Sequence, residues 1–83
     1  MSRADKLLAQ MRRSRSGWKP DHFRTLYGGF GFEVVDQGKH TKYRHPRYPD
    51  LWTMVPRSDP LSKSYAQDAI EIIDELRRRE AKR

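Results

Sequence analysis

Apolar residues recur at helical spacing in three stretches of this chain and alternate with polar ones in a fourth. Ala4, Leu7, Leu8 and Met11 fall on one helical face. Ser2 and Asp5 ahead of them form a capping box in which the shorter Asp replaces Glu. That helix runs out in Arg12-Arg13-Ser14-Arg15-Ser16-Gly17, a basic connector without apolar content. A second helix starts near Pro20, a residue suited to the first turn, with Asp21 well placed for the dipole. Phe23, Leu26, Tyr27 and Phe30 give it an apolar stripe at i, i+3, i+4 and i+7. Gly28 and Gly29 weaken its interior, which points to a close helix–sheet approach, and Gly31 supplies a left-handed stop.

Three short strands follow. Phe32-Glu33-Val34-Val35-Asp36 leads through a Gln37-Gly38 turn into strand 39–45. In that strand His40, Lys42 and Arg44 point one way, and Thr41, Tyr43 and His45 the other. His45-Pro46-Arg47-Tyr48-Pro49-Asp50 is a loop, because two prolines cannot sit inside a ladder. Leu51-Trp52-Thr53-Met54-Val55 is the third strand, closed by Pro56. The last helix begins near Ser62 or Ser64, where Ser64 and Gln67 fit a capping box. Its buried stripe reads Tyr65, Ala69, Ile72, Ile73 and Leu76. Acidic residues come early in that helix and Arg77, Arg78, Arg79, Lys82 and Arg83 late, as the macrodipole prefers.

The expected architecture is α+β, in the order (α)-α-β-β-β-α. A three-stranded antiparallel meander is covered on one face by helices, as in the double-stranded-RNA-binding fold. One domain spans residues 1–83, with an N-terminal helix and basic connector over 1–17 and the main core over 18–83. The uncovered sheet face stays wet and presents His40, Lys42 and Arg44.

Composition sharpens this picture. Hydrophobic and charged residues are each 35% of the 83, so the core is thin and aromatic-rich. The net charge of +7 favours a polyanion or an acidic protein as partner. Residues 1–63 carry all of the excess, because basic and acidic residues balance over 64–83. Cysteine is absent, which excludes disulfides, zinc–thiolate sites and thiol catalysis. No apolar run approaches a membrane span or signal h-region, and the Arg/Ser-containing start is too short and ordinary for a transit segment. Cytoplasm is the expected location. Three unclustered histidines call for neither metal nor cofactor.

An imidazole beside two fixed cations is what attack on a phosphodiester needs. His40 would take the proton of a ribose 2′-OH, since an ordinary imidazole is available unprotonated at neutral pH. Lys42 and Arg44 would hold the phosphate and its developing charge. His45 faces the other side of the sheet, and His22 lies off the stripe of the second helix as a solvated residue. The general acid is therefore unassigned, and turnover should be slow. Trp18, Trp52 and Tyr48 could stack on unpaired bases or fill core and rim. The basic strand alone would equally serve a non-catalytic RNA-binding module, or a protein-interaction domain that docks an acidic partner.

Gly31-Phe32-Glu33-Val34, Gly38-Lys39-His40, Tyr43-Arg44-His45-Pro46 and Thr53-Met54-Val55-Pro56, in this order, resemble the HicA (YcfA-like) toxin family. The likeness covers residues 30–56. It implies a metal-independent endoribonuclease of a toxin–antitoxin system, with the double-stranded-RNA-binding-like fold, acting on mRNA and neutralised by a HicB-like antitoxin. The family's Gly-Ser-His histidine corresponds to His40. Lys39 stands where members usually carry Ser or Thr, and there it can bind phosphate with Lys42 and Arg44. The tail helix is longer than in many members.

Overall fold

The computed structural model describes residues 2–82. Three helices, α1 (Arg3–Arg13), α2 (Pro20–Gly29) and α3 (Lys63–Ala81), pack against a sheet of β1 (Glu33–Gln37), β2 (His40–Arg44) and β3 (Trp52–Pro56). The strands lie in the order β1-β2-β3, antiparallel throughout. The expected α+β order and the meander are both present.

Local chemistry explains where α1 begins. The backbone N–H of Asp5 donates to Ser2 Oγ at 3.1 Å, and that of Ser2 donates to Asp5 Oδ2 at 3.3 Å. Two donors that a bare helix end would strand are satisfied reciprocally. Ala4, Leu8 and Met11 are buried as the periodicity predicts. Because Leu8 and Met11 join the central core, α1 is part of the same packed body as the sheet.

In α2 the stripe buries Phe23, Leu26 and Tyr27, while Phe30 becomes the partly buried C-cap. Gly31 follows with φ +86°, the left-handed stop expected of it. The paired glycines serve a different purpose from the one predicted. A β-carbon at Gly29 would overlap that of Ala4, so the close approach is between α1 and α2, not between helix and sheet. Gly28 faces open space.

Two further corrections concern α3. Its N-cap is Ser62, not Ser64, and Gln67 makes no capping box. Gln67 instead accepts from Arg15 Nε at 2.9 Å and donates to Glu71 at 2.8 Å. The buried face is Ala66, Ala69, Ile70, Ile73 and Leu76, with Tyr65 and Ile72 flanking it. The helix is thus rotated toward Ala66 and Ile70 relative to the predicted stripe. Tyr27 and Tyr43 stack at 4.5 Å between helix and sheet, and Phe32 meets Tyr27 edge-on at 5.0 Å. Rings carry much of this core, as a chain poor in aliphatics requires.

Candidate functional site

The β1–β2 hairpin closes on two residues, Gly38 and Lys39, one position later than the expected turn. Gly38 has φ +58°, and no other residue type adopts a positive φ in the described chain. Glycine at the first central position suits a two-residue hairpin, and it fixes His40 as the first residue of β2. Pairing then defines the side chains of the uncovered face. Gln37, Val35 and Glu33 of β1 lie opposite His40, Lys42 and Arg44, and beyond these lie Pro56, Met54 and Trp52 of β3.

His40 is exposed at the turn end of this face. Lys42 and Arg44 project on the same side, Lys42 half-buried and Arg44 exposed. Thr41 and Tyr43 point inward and are buried, so the alternation read from the sequence holds along the whole strand. Arg44 shares its charge with Glu33 across the pair at 3.7 Å. Among the described residues Lys42 has no carboxylate partner; its Nζ lies 5.3 Å from the centroid of Trp52. Lys39 is exposed in the turn, immediately before His40. A depression of about 220 Å³ opens beside Lys42 and Arg44, lined also by Glu33, Val35 and Gln37.

The chain matches no protein-family model, no curated protein and no solved structure. What the site can do is therefore argued from its own groups.

Sequence reasoning missed Arg57. Its backbone N–H donates to the Lys39 carbonyl at 2.8 Å and its guanidinium to the Gly38 carbonyl at 2.9 Å. It pins the turn that presents His40, and its position straight after the Val55-Pro56 strand end was the available signal. Beneath the same turn, Asp36 accepts from the Thr41 hydroxyl at 2.8 Å and from Arg24 at 2.7 Å. The Thr41 hydroxyl, and after it the Arg24 guanidinium, hold the Asp36 carboxyl below the usual carboxylate range. Asp36 thus stays ionised and ties the inner side of the hairpin to α2.

The other two histidines are occupied by structure. His22 is not simply solvated: Nδ1 accepts from the Lys19 N–H at 3.0 Å, capping α2, and its ring meets Trp18 edge-on at 5.1 Å. His45 is buried on the inner side, accepting from the Arg47 N–H at 3.2 Å, with Phe32 and Tyr48 around its ring. Among the described residues no three His, Asp or Glu side chains gather to hold a metal ion. Trp18 donates to the Ser14 carbonyl at 2.9 Å, and Tyr48 lies under Arg79. Trp52 differs from both: it is 51% exposed, on the face of His40.

Several arginines outside this face are also committed. Arg12 pairs with Asp74, Arg77 with Asp5, Arg78 with Glu75, and Arg79 with Asp50 and Glu75. Arg15 folds back onto the Met11 and Arg12 carbonyls at the end of α1. Much of the charge of the connector and last helix is therefore spent inside the molecule. Among the described residues every ion pair uses an arginine and none a lysine. Lys39 and Lys42 are left uncompensated beside an exposed imidazole. Such a group can remove a proton from a hydroxyl and steady an anion next to it.

Proposed function

We propose that this chain is a HicA-like toxin of double-stranded-RNA-binding-like fold: an endoribonuclease that cleaves mRNA without a metal, using His40 as its single catalytic histidine. A HicB-like antitoxin would neutralise it by covering the same face. The observation that carries this reading is the exposure of His40 on the uncovered sheet face, in line with Lys42 and Arg44.

The chemistry runs as follows. His40 takes the proton of a ribose 2′-OH, and the freed oxygen attacks the adjacent phosphorus. The bond to the 5′-oxygen of the next nucleotide breaks, leaving a 2′,3′-cyclic phosphate and a 5′-hydroxyl. Lys39, Lys42 and Arg44 hold the phosphoryl oxygens while negative charge grows on them. Protonation of the leaving oxygen falls to water or Lys42, because His22 and His45 are engaged elsewhere. Without a dedicated acid the turnover is slow.

The test is to incubate RNA with the purified chain in the presence of a chelator. Cleavage leaving cyclic-phosphate ends is expected, lost in His40→Ala and absent with 2′-O-methyl RNA. Salt-sensitive RNA binding without cleavage, unchanged by His40→Ala, would refute the nuclease. That outcome would establish the second reading, a non-catalytic RNA-binding module, which the lack of a free second histidine favours.

A further inference from the structure

Among the described residues Trp52 and Val35 are the two large apolar side chains left well exposed, at 51% and 49%, and both lie on the uncovered face. They flank the ridge formed by Lys42 and Arg44, Val35 on the β1 side and Trp52 on the β3 side. Trp52 pairs with Arg44 at the end of the sheet opposite His40, which pairs with Pro56. The two ends are four residue steps apart along the strand, a span of roughly 13 Å. An indole on a cationic surface at that distance from the exposed imidazole suits a partner that is both anionic and aromatic.

We propose that Trp52 is a base-stacking platform for an unpaired nucleotide, so that the face grips single-stranded RNA and not duplex. The occupant is chosen by complementarity: the unpaired ammonium groups of Lys39 and Lys42 match phosphates, and the indole matches the flat face of a base. A protein partner would have to supply carboxylates and a ring from separate side chains, whereas a nucleotide carries its phosphate and flat aromatic face in one unit. A duplex hides its base faces in the stack and cannot use Trp52.

In the free chain the Lys42 ammonium lies over the indole at 5.3 Å. A base that stacks there displaces it toward the strand's own phosphate, so the two contacts form together. His40 then faces a phosphate a few nucleotides away along the same extended strand. The proposal rests on the nuclease reading for the role of His40, but the subsite itself is a matter of binding.

The experiment measures binding of a labelled 12-nucleotide RNA and of its duplex to the His40→Ala chain at low salt, by fluorescence anisotropy. The single strand should bind at least tenfold tighter than the duplex. Trp52→Ala should weaken single-strand binding roughly tenfold and duplex binding little, while Trp52→Phe retains most of the affinity. Trp18→Phe leaves Trp52 as the sole indole, whose emission the single strand should quench saturably. Equal affinity for both forms, or an unchanged affinity in Trp52→Ala, would overturn the platform. So would self-association of the free chain that buries Trp52 and keeps RNA from binding. If the wild-type chain cleaves RNA but Trp52→Ala binds it as well as wild type, the platform fails and the nuclease stands. If the single strand binds and quenches but is never cleaved, the nuclease fails and the platform stands.

Discussion

Gly28 and Gly29 are adjacent in the last turn of α2, yet replacing each with alanine should change stability in opposite directions. Relative to alanine, a helical glycine costs up to about 1 kcal/mol, largely through backbone entropy of the unfolded chain. At Gly28 nothing lies within 4 Å of the added methyl, so Gly28→Ala should stabilise by about 0.5–1 kcal/mol. At Gly29 the same gain is opposed by overlap with the β-carbon of Ala4, whose own backbone is close behind. A methyl has no rotamer to retreat into, so α1 and α2 must part, and overpacking of that kind costs about 1–3 kcal/mol. The intrinsic gain cancels when the two variants are compared, leaving a difference of about 1–3 kcal/mol. Thermal and urea denaturation followed by circular dichroism would read it, since 1 kcal/mol moves the midpoint of a domain this size by about 4–8 °C. Adding Ala4→Gly to Gly29→Ala should recover stability, although Ala4→Gly alone destabilises. Equal stability of the two single variants would refute the reasoning, because it would mean the helices do not meet at that glycine.

The sequence makes legible those features whose causes are local. The capping box of α1, the alternation of β2 and the stop at Gly31 each depend on a few neighbouring residues, and each stands where the pattern places it. Features set by distant partners were not legible. The expected cap at Ser64 is absent because α3 already begins at Lys63, and Gln67 binds Arg15, 52 residues away in sequence. The glycines read as a helix–sheet contact instead meet α1, since nothing in α2 says which element will lie against it. The face of α3 turns toward Ala66 because periodicity fixes a stripe only to within about one residue on a helix carrying apolar side chains on several sides. At the site, His40, Lys42 and Arg44 followed from period two, whereas Arg57 did not, because its hold on the turn exists only once β3 pairs with β2. Charge shows the same division. Counting cations located the excess in residues 1–63, but only the fold shows which arginines are paired off. Lys39 and Lys42 are among the cations left without a carboxylate among the described residues.

Two further outcomes are expected. The Tyr27 hydroxyl is buried without a partner among the described residues, so Tyr27→Phe should leave stability unchanged or raise it by about 1 kcal/mol in chemical denaturation. A loss greater than about 1 kcal/mol would mean that the hydroxyl is bonded in solution. Stability should also fall in acid. Asp36 is held below the usual carboxylate range by Thr41 and then Arg24, and Asp74 by Arg12. A carboxyl depressed in the folded state binds its proton more readily when unfolded, so its contribution is complete above the ordinary value of about 3.9. That contribution drains away as pH falls from there through the lower folded value. Midpoints measured from pH 6 down to pH 2 should therefore drop mainly below about pH 4. Asp36→Asn, which keeps the shape but has no proton to bind, should shallow that drop; an acid limb as steep as the wild type's would show that the Asp36 link to Thr41 and Arg24 does not tie the hairpin to α2.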